Sequence, residues 1–295
     1  MILAAVIAVI MAWFLDYAQF AITGRNYNNQ YNGKGCIPSV LNGTALAPMQ
    51  YRVAVPYLYS MLRSYELVKV LLMAFGLFSM WLMIQTIWSV GAYQGMFIAG
   101  IFYVINFQFD YAEQYLELGV WAQFLTAVYV GSFYWLTVCV IVGAMNRETS
   151  LFLVLAYFLA TLDPIVSGWL LLMYCLVFVA LRLRYGLKRS YLEDGVMLGE
   201  ELFRGKNHLF KNWKDIKKGM RWALFPTWYA IFMAGLVCAA TVWGTFPRGL
   251  QSASFVVIPF IIVLLFRAML REGVRIMLPL LVFVVPMING AINAN

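Results

Sequence analysis

The chain has 295 residues, of which 63% are hydrophobic, 17% aromatic and only 12% charged, with a formal net charge of +8. Soluble domains carry about 25% charged residues, so a soluble globular fold is excluded, and the continuous apolar runs exclude the alternating pattern of a membrane β-barrel. The basic excess lies between apolar runs with no groove-reading motif around it, which points to membrane orientation and lipid headgroups and not to nucleic acid.

The first apolar run covers residues 2–15 and extends towards 22, with Asp16 near its outer edge. It has neither a basic n-region nor a small-residue cleavage site, so it reads as a retained anchor. Residues 16–66 form the only long hydrophilic segment in the first 180 positions. Its middle, 24–33, is rich in Asn, Gly and Tyr, and 47–58 reads as the start of a short interfacial helix. Apolar runs at 67–88 and 90–107 follow. The loop 108–117 then carries Asp110, Glu113 and Glu117 and no base.

A run at 118–145 is long enough to cross with a tilt. Asn146-Arg147-Glu148-Thr149 ends it, with Asn146 in place to cap the next helix. The run 151–162 is short and stops at Asp163-Pro164; 165–181 follows, and then a basic segment over 182–221. Three further runs cover 222–244, 252–266 and 276–292. Runs approaching or exceeding ~20 residues suit a ~30 Å hydrocarbon layer. The expectation is an all-α polytopic integral membrane protein of about nine transmembrane helices. It divides into a six-span module over 1–181, a basic segment over 182–221 and a three-span part over 222–295.

A cytoplasmic N-terminus places Arg147, the 182–221 block, Arg267, Arg271 and Arg275 inside, fifteen of the twenty-one Lys and Arg residues. Lysine and arginine set orientation, so the 16–66 loop, the 108–117 loop, Asp163 and the C-terminus are expected outside. If 151–162 is re-entrant instead, everything before it inverts. Within the basic segment, Leu209, Trp213, Ile216 and Met220 share a helical stripe apart from Lys211, Lys214, Lys218 and Arg221. That pattern fits a basic amphipathic helix on an anionic inner leaflet. The cysteines at 36, 139, 175 and 238 show no CxxC or Cys/His spacing, so no structural metal site is expected.

Four groups of residues can carry chemistry. Asp16 is either an interfacial carboxylate or a functional one, because an ionisable group at membrane depth is costly unless it faces protein or water. Asp110 and Glu113, three apart, share a face if that loop is helical, and clustered carboxylates serve as a general base or hold a divalent cation through waters. Arg52 beside Tyr51 either binds a lipid phosphate as a fork or snorkels within an aromatic belt of Tyr51, Tyr57 and Tyr59. Arg147 and Glu148, adjacent and so facing apart on a helix, each need another partner, and both are candidates for a structural role or for binding substrate or lipid phosphate with Arg52 and Tyr51. Asp163-Pro164 marks an interrupted helix of the kind transporters use, although no inverted repeat accompanies it.

One span, an outer loop that begins with Asp, an amphipathic stretch and many further helices resemble the C-type (polytopic) glycosyltransferase superfamily. The segments Gln50-Tyr51-Arg52-Val53-Ala54-Val55-Pro56 and Asn146-Arg147-Glu148-Thr149-Ser150-Leu151-Phe152 look like elements of bacterial multi-pass proteins grouped near it. The resemblance covers residues 1–180. It implies a bacterial inner-membrane protein that takes sugar from a polyprenyl-phosphate donor on the non-cytoplasmic face. Asp16 would be the base, Asp110 or Glu113 a second acid, and Arg52 the neighbour of the donor phosphate. A divalent cation is the only cofactor it implies. The chain is short and has no paired acid in its first loop, so the alternative is a non-catalytic subunit of a membrane complex. Small-molecule or lipid transport comes third.

Overall fold

The structure is a computed structural model that describes residues 1–23, 36–45, 49–105, 112–188, 235, 242–267 and 278–293. Among these the chain is all-helical, with no strand. Asp110, the stretch 202–221 and most of the run 222–244 lie outside the described residues.

Helix α1 (Ile2–Thr23) turns Ala4, Ala8, Ala12, Leu15 and Gln19 inward, while Ile2, Leu3, Val6, Ile10, Trp13, Phe14 and Tyr17 point outward. Small residues inside and large apolar ones outside is the arrangement of a helix that meets lipid on one side and a bundle on the other. Short α2 (Cys36–Leu41) and α3 (Ala54–Leu62) follow. Then comes α4 (Tyr65–Ile87), capped by Ser64, whose hydroxyl accepts from Leu67 N at 3.2 Å. Helices α5 (Ala92–Ile105), α6 (Ala112–Val130), α7 (Phe133–Asn146), α8 (Leu151–Thr161) and α9 (Pro164–Tyr185) complete the first two thirds of the chain. Near the C-terminus are α10 (Arg248–Ser254), α11 (Val257–Arg267) and α12 (Leu281–Asn293).

Among the described residues three helices are long and apolar enough to cross a membrane: α1 over Ile2–Ala21, α4 and α9, with mean hydropathies of 1.9, 2.2 and 2.2. Helices α4 and α6 form the centre. A methyl added at Gly119 of α6 would collide with the ring of Phe75 on α4, so the two backbones approach closely because that position has no side chain. Trp121 is fully buried and stands edge-on to Phe260 and Phe283, at 6.3 and 6.4 Å between ring centres, which draws α11 and α12 onto α6.

The run expected to cross once at 118–145 is two helices. Gly131 takes a left-handed conformation (φ +71) between α6 and α7, which ends a helix and reverses the chain. The two return side by side, since Asn146 Nδ2 reaches Glu113 O at 2.8 Å. Asn146 is therefore the last residue of α7, bound back to α6, and not the cap of the following helix. The acidic loop is also shorter than expected, because Glu113 and Glu117 lie on α6. Asp163 caps α9 by accepting from Ile165 N and Val166 N at 2.9 and 3.1 Å, with Pro164 in the first turn. An ordinary helix start explains this dipeptide.

The extra reversal changes which residues share an end. Helices α1 and α4 to α9 alternate in direction, so the joins at 88–91, 131–132 and 162–163 lie at one end. At the other end are Asp16, the 49–64 segment, the start of α6, the 147–150 turn and the end of α9. Direct contacts fix this grouping: Lys69 to Asp16, Arg147 to Glu117, Arg52 to Glu148, and Arg182 over the ring of Tyr51. The expected partition, with Arg147 and Arg182 on the face opposite to Asp16 and Arg52, does not hold. The start of α1 and the end of α12 share one end of the bundle. Asn289 and Asn293 of α12 bond to Val90 O and Gln94 Oε1 at the short-turn end, where α1 begins.

Candidate functional site at the charged end

Asp16 and Gln19 stand one turn apart on α1, on the side that faces the first turns of α4. Lys69 of α4 has no solvent exposure; its Nζ lies 2.5 Å from Asp16 Oδ1 and donates to Gln19 Oε1 at 2.9 Å. Gln19 Nε2 in turn donates to Tyr103 O at 2.7 Å and to the Tyr115 hydroxyl at 3.0 Å. One ammonium thus ties α1 to α4, and the amide beside it carries the link to α5 and α6. Sequence reasoning found Asp16 and missed Lys69 and Gln19. The available signal was a lysine three residues into an apolar run, where an unpaired charge is costly.

A second cluster forms two residues along α6 from Tyr115, and so on a different face of that helix. Arg147 Nη1 lies 2.5 Å from Glu117 Oε2, with side chains 7% and 3% exposed, and the Thr149 hydroxyl donates to Glu117 Oε1. The Ser150 hydroxyl donates to Arg147 O at 2.7 Å, which holds the 147–150 turn in shape. Arg147 does find its partner elsewhere, as adjacency to Glu148 required. That partner, Glu117, carried no functional assignment in the sequence because it reads as one more acid in a loop.

Glu148 meets Arg52, with Nη2 to Oε2 at 3.2 Å and side chains 35% and 18% exposed. Tyr51 donates to Gly186 O at 2.9 Å and accepts from Lys188 N at 3.0 Å. Val53 N donates to Met145 O at 2.9 Å. Buried Gln50 holds Ala45 N and Val40 O, each at 2.9 Å. These bonds fix residues 36–45 and 49–57 across the charged end.

Glu113 differs from the other acids. It starts α6, and its Oε2 is buried without a hydrogen-bond partner among the described residues; the same is true of Asn146 Oδ1 beside it. Two buried acceptors without donors carry a desolvation cost of about 1–3 kcal/mol each, which a ligand rich in hydroxyl or N–H donors would relieve. Of the predicted site residues, the structure brings Asp16, Tyr51, Arg52, Glu113, Arg147 and Glu148 to one end. Asp110 is not described. Among the described residues no three of His, Cys, Asp and Glu converge as a cation would require. Asp16, Glu117 and Glu148 already face a cation of the chain, so the donor set of the described residues does not fit a divalent metal.

A comparison of the chain with protein families, with curated proteins and with solved structures finds no match in any of the three.

Proposed function

We propose that this chain is a polytopic membrane protein that transfers a sugar from a polyprenyl-phosphate donor to a hydroxyl acceptor at its charged end. The observation that carries the proposal is the convergence of acids and cations from α1, α4, α6 and the 147–150 turn at one end of an otherwise apolar bundle. Glu113 offers a carboxylate oxygen with no donor on it among the described residues, so it is placed to accept the acceptor's proton. The acceptor oxygen then forms the new bond to the anomeric carbon, and the bond from that carbon to the phosphate breaks with its electron pair on the phosphate. Asp16, held by Lys69, fixes α1 against α4 on the Tyr115 face of α6, away from Glu113. The Arg52–Glu148 pair is partly exposed on its Glu148 side, so a donor phosphate that reaches it can displace Glu148 from Arg52 and take up the guanidinium. Purified protein supplied with a polyprenyl-phosphate sugar and a panel of hydroxyl acceptors (sugars and polyols) should release polyprenyl phosphate and form the glycosylated acceptor. Glu113→Gln should stop the release while leaving thermal unfolding unchanged. Equal turnover by the variant would remove Glu113 from the reaction, and no release by the wild type with any such donor would end the proposal.

We further propose that the shorter apolar helices sit within the membrane together with the three long ones, in the inner membrane of a bacterium. The nine expected passes become ten once 118–145 divides. The resemblance assigns the charged end to the non-cytoplasmic face. The lysines and arginines argue for the reverse. Arg52, Arg63, Lys69, Arg147, Arg182, Arg184 and Lys188 gather at that end, against Arg248 beside α8's far terminus. The excess of Lys and Arg marks the cytoplasmic side, so we assign the charged end to the cytoplasm. In intact cells a membrane-impermeant maleimide should label Val90→Cys, and label Leu187→Cys only after permeabilisation. The opposite pattern would restore the outer face.

A non-catalytic subunit is the second reading. It is favoured by one observation: Asp16, Glu117 and Glu148 are each neutralised within the chain, as in a purely structural network. Co-purification of a membrane partner in fixed ratio, with no transfer, would support it.

A further inference from the structure

We infer that the end of α9 holds a binding site for the phosphate of a membrane lipid, formed by Arg182 and Arg184 against a set of aromatic rings. The inference rests on the membrane placement of the bundle and not on the transfer chemistry. Helix α9 is the most lipid-accessible of the three long helices: only 17% of its apolar window is buried, and Ile165, Trp169, Leu172, Leu176, Val179 and Leu183 point outward. It starts at the Asp163 cap. At 1.5 Å per residue Arg182 lies about 28 Å further along the axis, close to the ~30 Å thickness of hydrocarbon. The two arginines therefore stand at headgroup depth.

Their surroundings are built for an anion. The Arg182 guanidinium carbon sits 3.1 Å from the centre of the Phe178 ring and 4.2 Å from that of Tyr51, and Nη1 donates to Phe178 O at 3.2 Å. Arg184 sits 5.3 Å from the Tyr185 ring and 5.7 Å from the Tyr57 ring, and the hydroxyls of Tyr57 and Tyr185 are 2.9 Å apart. Ring faces hold a guanidinium by cation–π attraction and leave its N–H edge outward. The ion pairs of the described residues engage Arg52, Lys69 and Arg147, and neither Arg182 nor Arg184 has a carboxylate partner among those residues. A guanidinium has five N–H donors; one bond to a carbonyl leaves most of those on Arg182 for a phosphate, which guanidinium meets in bidentate fashion. Anionic phospholipid of the surrounding leaflet and a polyprenyl phosphate both present this group.

The test is binding of three lipids to the full chain in detergent: phosphatidylglycerol, polyprenyl phosphate and phosphatidylcholine, each read by the shift in thermal unfolding. Wild type should bind the anionic lipids, and the R182Q/R184Q double variant should bind them roughly tenfold or more weakly, given the attraction of each basic side chain to anionic lipid. The single variant Arg184→Gln, at an exposed position, should show part of the same loss and serves if the double variant does not fold. Arg→Lys at both positions keeps the charge without the fork and should fall between. Weakening for phosphatidylglycerol alone assigns the site to leaflet lipid. Weakening for polyprenyl phosphate alone assigns it to a lipid-linked substrate. Unchanged binding in every variant, or equal binding of phosphatidylcholine, overturns the inference. Neither outcome bears on Glu113, so the transfer proposal stands or falls separately.

Discussion

Asp16→Ala should destabilise the bundle by about 3–5 kcal/mol, because it removes the countercharge from a buried ammonium. Lys69 Nζ has no solvent exposure, and the amide oxygen of Gln19 that it also donates to carries no countercharge. The reverse change is milder. Lys69→Met leaves Asp16, whose side chain is 14% exposed, near enough to the bundle end to recruit water, and methionine fills the lysine's volume. Combining the two should recover most of the loss, since an apolar pair of similar size in place of a buried ion pair is often neutral or stabilising. A double-mutant cycle in detergent, followed by tryptophan fluorescence during denaturation, measures the coupling. A loss below about 1 kcal/mol for Asp16→Ala, in the range of an exposed pair, would show that the pair is hydrated.

Arg147→Met should cost a similar amount, about 3–5 kcal/mol, through a different group. It strands Glu117, 3% exposed, with the Thr149 hydroxyl as its remaining side-chain donor. Thr149→Val removes only a hydrogen bond to a charged group, worth about 1.5–3 kcal/mol. Arg147→Lys should retain part of the stability, because a single ammonium keeps the charge and loses the planar fork. Denaturant midpoints for the three variants should therefore rank Arg147→Met lowest and the other two between it and wild type. A midpoint for Arg147→Met above that of Thr149→Val would mean that Glu117 finds another cation or takes a proton.

Some of this site can be read from sequence and some cannot. Asp16, Arg52, Arg147 and Glu148 stand out because a charged residue between apolar runs is rare and visible. Lys69 and Glu117 are visible in the same way, yet each belongs to a neighbouring segment by its immediate context: the lysine to a helix start, the glutamate to an acidic loop. Their importance comes from partners 50 and 30 positions away, and no local pattern encodes a separation of that size. The division of charges between two faces changed for a related reason. It depends on the number of reversals before each loop, and one reversal, at Gly131, is a two-residue turn between apolar stretches with no polar gap to announce it.

Sequence by itself determined that this protein is helical, apolar and edged with charge. Those properties follow from the length and composition of single runs, which are local quantities. Only the tertiary structure decided which charges meet, that 118–145 is a hairpin, and that Asp16, Glu117, Arg147 and Arg182 share one end. Pairing of side chains and the parity of chain reversals depend on how helices far apart in sequence lie side by side. Close approach at Gly119, a left-handed turn at Gly131 and burial of Lys69 set that arrangement together.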